Sequence, residues 1–245
     1  MNSSNPGAAA KRRAAAAAPG KLPRGGRESA AVRAERAEAV AARLERLHPD
    51  ARCSLDFANP FQLLIATILS AQCTDKRVNL VTGGLFRRWP TAAALAAARQ
   101  SAIESAIRST GFFRAKARNI RGCCQALVAR HGGEVPRQLA ELVKLPGVGR
   151  KTANVVLGSA FGLATGVVVD THVGRIARRL GLTRQTDAVK AERDLMAVLP
   201  RDEWIAFSHR VIEHGRAVCT ARRPRCAGCV LADLCPQVGV KRLPA

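Results

Sequence analysis

LPGVGRKTANVVLGSAFG, residues 145–162, decides the fold class because two helical segments meet in it at a glycine-containing turn. The preceding RQLAELVK has a helical pattern, LPGVG interrupts that pattern, and RKTANVVLGSAFG resumes it. Glycine lets a ligand approach the turn backbone, and the amides of the turn and of the next helical turn favour an anion. The segment predicts a helical hairpin that binds an anion, with a plain corner between two helices as the alternative.

The charge of the chain indicates what that anion is. The 245 residues include 40 Lys and Arg but 18 Asp and Glu, a formal net charge of +22. Such a surplus favours a polyanionic partner, most commonly nucleic acid. An anionic membrane surface is the alternative, although no apolar run reaches the roughly 18 residues that a membrane-spanning helix needs. Arg150 and Lys151, directly after the hairpin, favour a DNA phosphate over a plain corner.

The rest of the chain also predicts helices separated by short turns. The strand-like run at 167–169 is too short to found a sheet, so we expect an all-α protein. Several helices are predicted to begin at a polar residue whose side chain caps free backbone N–H groups. These predicted N-caps are Asn59, Thr74, Thr91, Asp170 and Ser101, the last in a capping-box pattern with Glu104.

Residues 1–27 differ from the rest of the chain. They combine Ala, Gly and Pro with basic residues and contain no acidic residue. A segment with so few bulky apolar side chains predicts a disordered basic arm, which would add nonspecific attraction to DNA. An organellar transit peptide is the alternative interpretation.

Four cysteines near the C-terminus have the spacing of a metal site. Cys219, Cys226, Cys229 and Cys235 follow the pattern C-x6-C-x2-C-x5-C. Nothing in the sequence suggests secretion, so clustered cysteines favour a metal over disulfides. Structural zinc usually uses two close pairs of ligands, and this segment has one, while four thiolates also suit a [4Fe–4S] cluster. Spacing alone leaves zinc and iron–sulfur open.

Taken together, these segments resemble the endonuclease III family of DNA glycosylases. The resemblance comprises the hairpin segment, VVVDTHVGRIARRLGLT (167–183), ILSAQCTDKRVN (68–79), IRSTGFFRAKARNI (107–120) and the four cysteines, and it extends over about residues 28–236. It implies an all-α, two-domain helix-hairpin-helix DNA glycosylase fold. It also favours a [4Fe–4S] cluster over zinc.

The resemblance implies the domain organisation as well. Residues 53–165 are expected to form a six-helix barrel domain that ends in the hairpin. Residues 28–52 and 166–236 are expected to form a helical iron–sulfur cluster domain. Residues 1–27 remain as the arm, and residues 237–245 as a C-terminal tail.

Two residues receive catalytic roles from the resemblance. On the residues alone, Lys151 is a phosphate contact and Asp170 is a helix N-cap. By resemblance, Lys151 is the nucleophile that attacks the deoxyribose and Asp170 assists it. The positive end of the helix dipole and the neighbouring Arg150 both disfavour an ammonium at Lys151, which suits a nucleophile. The implied activity is removal of oxidised pyrimidines from double-stranded DNA, with cleavage at abasic sites through a lysine Schiff base.

The resemblance also implies a set of DNA contacts. Gln72 and Phe112 are expected to enter the gap left by the extruded nucleotide, although a helix-ending glutamine and a core phenylalanine are the alternatives. Asp75 and His172 match family positions beside the site, and His172 is expected to be structural. The full set of predicted DNA contacts is Gln72, Phe112, Gly147, Val148, Gly149, Arg150, Arg222, Arg223 and Arg225.

The implied setting is that of a monomeric bacterial enzyme in the cytoplasm, associated with the nucleoid, and not with a membrane. Two rival functions remain open. A monofunctional adenine glycosylase of the same superfamily is disfavoured by the lysine at position 151. A noncatalytic DNA-binding or redox-sensing protein would use the same fold without the chemistry.

Overall fold

The computed structural model describes residues 28–240, and all regular secondary structure in this range is helical. The strand-like run Val167–Val169 forms no strand there. Two short 3-10 turns lie at Arg108–Thr110 and Arg201–Glu203. The α-helices are α1 (Ala30–Leu47), α2 (Pro60–Leu69), α3 (Asp75–Arg88), α4 (Ala92–Ala97), α5 (Gln100–Ile107), α6 (Phe113–His131), α7 (Leu139–Leu142), α8 (Arg150–Phe161), α9 (Thr171–Arg179), α10 (Ala188–Val198) and α11 (Trp204–Ala217).

Most of the predicted helix starts are confirmed. The side chains of Asn59, Thr74, Thr91 and Asp170 each accept a hydrogen bond from a backbone N–H in the first turn. The prediction for Ser101 is wrong, because α5 begins at Gln100 with Arg99 as N-cap. The structure explains the error. The Glu104 carboxylate accepts a hydrogen bond from Gln100 Nε2 at 3.0 Å, one helical turn away, instead of serving a capping box.

Buried apolar side chains form two clusters. The first contains residues from Leu55 to Leu157 and is centred on α2, whose residues 63–66 are fully buried. The second combines Ala37–Leu44 of α1 with residues from Val167 to Leu234. Each fully buried Leu or Ile stabilises its cluster by about 1.5–3 kcal/mol. The domain boundaries inferred from the sequence stay a prediction.

Helix α8 lies where the two clusters meet. It packs against α2 of the first cluster. Toward the second cluster, Gly158 is so close to Ile205 that an added Cβ would lie 3.2 Å from Ile205 Cγ1. Ser159 Oγ lies 3.3 Å from His209 Nε2 of α11. Helix α8, whose first turn carries Lys151, is therefore packed on both sides.

No helix within residues 28–240 has both the length and the apolar character needed to cross a membrane. The predicted N-terminal arm, residues 1–27, lies outside the described residues. So do residues 241–245 of the predicted C-terminal tail.

Candidate active site

The hairpin before α8 closes on its own backbone. The N–H of Val148 donates to the carbonyl of Leu145 at 3.1 Å, and the Val148 side chain is buried in the first cluster. Gly147 has φ +78°, and a Cβ there would lie 2.8 Å from Asn119 Cβ of α6. Only glycine fits that position. Val148 thus anchors the turn, and its side chain is not available to a ligand.

The N-terminus of α8 is open to an anion. Its N-cap is Gly149, which has no side chain to satisfy the free N–H groups of the first turn. Such groups, with the helix dipole, attract a phosphate. Lys151 is the second residue of α8 and is exposed. Within residues 28–240 its amine makes no hydrogen bond or ion pair, so it is available to react.

Arg150 differs from Lys151 because its side chain is bonded to another helix. Its guanidinium donates two hydrogen bonds to Glu192 of α10, from Nε at 2.7 Å and from Nη2 at 2.9 Å. These bonds raise the pKa of Arg150. The carboxylate compensates the guanidinium charge, so the repulsion between Arg150 and Lys151 expected from the sequence is reduced.

Asp170 begins α9, where its Oδ1 accepts a hydrogen bond from Val173 N at 2.8 Å. The side chain of His172, two residues further on, contacts Arg175 Nη2 through Nδ1 at 3.2 Å. Burial lowers the pKa of His172, the charges of Asp170 and Asp75 oppose that shift, and those of Arg175 and Arg216 add to it. The neutral imidazole is favoured, which suits the structural role expected for it.

Asp75 is joined to the second cluster by an ion pair. Arg216 of α11 donates from Nη2 to Asp75 Oδ2 at 2.8 Å and from Nη1 to Ser54 Oγ at 2.9 Å. Asp75, Asp170 and His172 therefore gather where α3, α9 and α11 meet. Lys151 and Asp170 stand at the N-termini of consecutive helices, and no direct bond joins them among the described residues.

Gln72 and Phe112 share an uncommon backbone conformation. Their φ angles are +52° and +48°, in the left-handed region that side chains with a Cβ rarely adopt. Both side chains are exposed, and Phe112 is 67% exposed. Phe112 is thus not a core residue. The turn before it is fixed by Lys116, which is buried and donates to the carbonyl of Thr110 at 2.7 Å.

The four C-terminal cysteines line one pocket, with Ile176, Leu180 and Leu231 among its apolar walls. Between the first two, Arg222, Arg223 and Arg225 are exposed on a loop. That loop is held by Arg179, the last residue of α9, whose guanidinium donates to the carbonyls of Thr220 at 2.7 Å and Ala221 at 2.8 Å.

Comparison with known proteins places the chain in a family. A family model described as HhH-GPD superfamily base excision DNA repair protein matches residues 65–201, and the iron-sulfur binding domain of endonuclease III matches residues 219–235. The endonuclease III of Synechocystis sp. is 56% identical over 206 residues, which are 84% of this chain and 94% of that protein. The chain belongs to the endonuclease III family. It is a DNA glycosylase of base excision repair with an associated lyase activity.

Solved structures agree with this assignment. A non-covalent endonuclease III–DNA complex and a trapped endonuclease III–DNA covalent intermediate are each 45% identical to the chain, with a TM-score of 0.79. Each covers 83% of this chain, and the chain covers 95% and 96% of them respectively. The predicted family, the helix-hairpin-helix fold and the [4Fe–4S] cluster are confirmed.

The cysteine pocket fits a [4Fe–4S] cluster, because all four of its cysteines lie in the segment 219–235 that matches the iron-sulfur binding domain of endonuclease III. Burial raises the pKa of Cys235 to about 11 and also raises the pKa of Cys229, so the thiolates need a positive partner. When bound, the cluster supplies a rigid cross-link among the four cysteines.

Sequence reasoning missed the residues that hold these segments in place. Glu192, Arg179 and Arg216 act through long-range partners that lie 38 to 162 positions away. One signal was present for Glu192. It follows Ala191 on the buried stripe that continues at Leu195 and Val198, and a carboxylate beside such a stripe requires a partner.

Proposed function

We propose that this enzyme removes oxidised pyrimidine bases from duplex DNA and cleaves the strand at abasic sites, with Lys151 as nucleophile and Asp170 as its assistant. The observation that carries the assignment of Lys151 is its exposed amine in the first turn of α8, directly after the hairpin, which has no bonding partner among residues 28–240. The helix begins with no side-chain cap, so DNA phosphate and amine meet at one helix end.

The chemistry follows from these two side chains. After the damaged nucleotide is extruded from the stack, Lys151 Nζ attacks C1′ and displaces the base, which leaves with the bonding electron pair and takes up a proton. The Asp170 carboxylate accepts the proton that the amine loses or stabilises the positive charge on the sugar. Ring opening gives a Schiff base, which acidifies the C2′ proton. Loss of that proton expels the 3′ phosphate by β-elimination.

Gln72 and Phe112 complete the proposed DNA interface by filling the gap in the duplex. Their exposure and left-handed backbones, on two separate loops, support this role. Gly147 and Gly149 offer backbone to a phosphate, and Arg222, Arg223 and Arg225 attract the strand beside the cluster. Arg150 contributes to DNA binding only with the N–H groups that Glu192 leaves free.

Borohydride trapping tests the nucleophile. The enzyme incubated with an abasic duplex and borohydride should form a covalent adduct, because the reductant converts the Schiff base to a stable amine. Lys151→Ala should form none. Lys144→Ala is the matched control, since Lys144 is also exposed near the hairpin but is paired with Glu141 at 2.7 Å. An adduct with Lys151→Ala, or none with the wild type, would refute the assignment.

Substrate assays separate the rival functions. Incision of both a thymine-glycol duplex and an abasic duplex is expected. Base loss without strand cleavage, seen on a mismatched adenine, would indicate adenine-glycosylase chemistry. Binding with no turnover of any of these duplexes would indicate a noncatalytic protein.

We also propose that the enzyme acts as a monomer in the bacterial cytoplasm, in line with bacterial relatives such as that of Synechocystis sp.. Light scattering at enzyme concentrations used in assays should give the mass of one chain, 26.1 kDa before cluster binding. DNA affinity should fall steeply with salt, with a log–log slope of about −0.9 for each phosphate neutralised. Removal of residues 1–27 should make that slope shallower.

A further inference from the structure

A buried carboxylate on α10 holds the helix that carries Lys151. Glu192 is 4% exposed. It accepts hydrogen bonds from Arg150 Nε at 2.7 Å, from Arg150 Nη2 at 2.9 Å and from Asn154 Nδ2 at 2.8 Å. Arg150 and Asn154 lie one turn apart on α8, so a single carboxylate fixes the first turn of that helix on both sides of Lys151. A buried charge is tolerated only when it is bonded in this way.

The same network reaches the segment that leads to Asp170. The Asn154 side-chain oxygen accepts a hydrogen bond from Thr165 Oγ1 at 2.9 Å. The backbone of Gly166 packs against both groups, because an added Cβ would lie 2.0 Å from Glu192 Oε1 and 2.5 Å from Asn154 Nδ2. From Gly166 the chain continues through the buried Val167 and Val169 to Asp170.

We infer that Glu192 is a positioning residue, which sets the distance between Lys151 and Asp170 by bonding at once to the first turn of α8 and, through Asn154, to the segment that carries the aspartate. This inference rests on the roles proposed above for Lys151 and Asp170. It also changes the role of Arg150, which was predicted as a DNA contact. Its main role becomes that of linking Glu192 to the end of the hairpin.

The geometry explains why such a residue affects rate more than binding. In the proposed function, the DNA backbone is bound by the backbone of Gly147 and Gly149 and by the arginines of the cysteine loop, and none of these groups takes part in the bonds of the network. Attack at C1′ and proton removal require a fixed distance and orientation between the Lys151 amine and the Asp170 carboxylate. A displacement of either group by 1 Å reduces the reaction rate by about 100-fold. Loss of the charge on Glu192 makes the distance between these two groups variable, while the surfaces that bind the DNA backbone are unchanged.

Glu192→Gln tests the inference. The amide keeps an oxygen for Asn154 but presents an N–H₂ group or a neutral oxygen to Arg150. We expect the single-turnover rate of β-elimination on an abasic duplex to fall by about 10- to 100-fold. The Kd for a duplex with a tetrahydrofuran abasic analogue, which cannot form a Schiff base, should change less than about threefold, in line with rate loss confined to the chemical step.

The matched control is Glu203→Gln. Glu203 is also a buried carboxylate paired with an arginine, Arg210 Nη1 at 2.9 Å, but it lies in the 3-10 turn Arg201–Glu203, outside α8 and outside the segment that leads to Asp170. Its rate should stay at the wild-type value. Arg150→Gln should reproduce the rate loss of Glu192→Gln, and the double variant should lose no more than either, since both act through one bond pair.

Three outcomes would overturn the inference. A folded Glu192→Gln enzyme with the wild-type rate is one. An equal rate loss in Glu203→Gln is another. The third is an Arg150→Gln enzyme that loses affinity but keeps its rate, which would make Arg150 a phosphate contact.

If Glu192→Gln does not fold, Thr165→Val serves instead, because it removes only the outermost bond of the network. Its rate should fall several-fold at unchanged affinity, and an unchanged rate would equally refute the inference. Failure here is distinct from failure of the proposed function. In the former case the wild type still forms a borohydride adduct that depends on Lys151, and in the latter it does not.

Discussion

Gln72 and Phe112 show what a single residue contributes to this enzyme. Each is held at positive φ, which costs a residue with a Cβ about 1–2 kcal/mol relative to its ordinary backbone. Neither side chain recovers that energy by burial, since both are exposed. Backbone strain without burial supports the DNA-contact role that we propose for both side chains. The sequence predicted both residues only through resemblance, because no local sequence pattern indicates a positive φ angle at a phenylalanine.

Phe112 gives a prediction at this scale. Phe112→Ala removes the ring but keeps the strained Cβ, while Phe112→Gly removes both. Incision of a damaged duplex should fall about tenfold or more in each, because an apolar wedge offsets a few kcal/mol of unstacking. Phe112→Gly should have the higher Tm of the two. Phe112→Leu, which keeps an apolar side chain, should retain most activity, and an Ala variant as active as the wild type would exclude the wedge role.

Helix α9 shows how one element connects two sites. Its first turn is capped by Asp170, and its last residue, Arg179, binds the loop that leads from Cys219 to Cys226. The cap was predictable from the sequence because capping is local chemistry. The arginine's targets were not, because they lie about 40 positions downstream and depend on how α9 meets the cysteine loop. The wrong prediction for Ser101 shows where local patterns fail. Glu104 bonds to Gln100 instead of closing a capping box, and α5 begins one residue before Ser101.

Arg179 gives the prediction for this element. Arg179→Met keeps the length of the side chain but leaves the carbonyls of Thr220 and Ala221 without their donor. Hydrogen bonds to a charged group contribute about 1.5–3 kcal/mol each, so the loop should lose its fixed shape. DNA affinity should fall about tenfold or more, and the visible absorbance of the cluster should decay faster in air. Arg178→Met is the control, because Arg178 donates one long bond, to Gln185 O at 3.4 Å. Equal behaviour of the two variants would contradict the prediction.

At the scale of the whole molecule, the enzyme depends on contacts between its two apolar clusters. The hairpin, the caps and the cysteine motif could be predicted because each occupies a short stretch of chain. The pairs that join the clusters, Arg150 with Glu192 and Arg216 with Asp75, could not, because their partners are 42 and 141 positions apart. Such pairs follow from helix packing, which sequence periodicity does not specify.

A contact between a histidine of α11 and α8 is expected to make the free energy of unfolding depend on pH. His209 of α11 meets Ser159 of α8 at 3.3 Å, and burial lowers the pKa of His209 while Glu213 partly opposes the shift. The unfolded chain takes up a proton at an ordinary histidine pKa of about 6.5, whereas the native state resists it until a lower pH. The contribution is therefore complete above that ordinary pKa and is lost as pH falls toward the lowered native pKa. Burial also lowers the pKa of His172, and it lowers the pKa of His214 to about 4, so both histidines act with the same sign.

The cluster-loaded enzyme should accordingly have a lower Tm at about pH 5.5 than at about pH 7.5, because the unfolded state binds more protons over that window. His209→Asn keeps a polar group opposite Ser159 and removes the titration. The Tm of this variant should fall less between the two pH values than the Tm of the wild type. The difference between the two drops is the contribution of His209, and the drop that the variant still shows comes from His172 and His214. Thermal unfolding followed by circular dichroism at one scan rate measures both drops. If His209→Asn loses as much Tm as the wild type, the contact between α8 and α11 is not what couples the junction of the two clusters to pH.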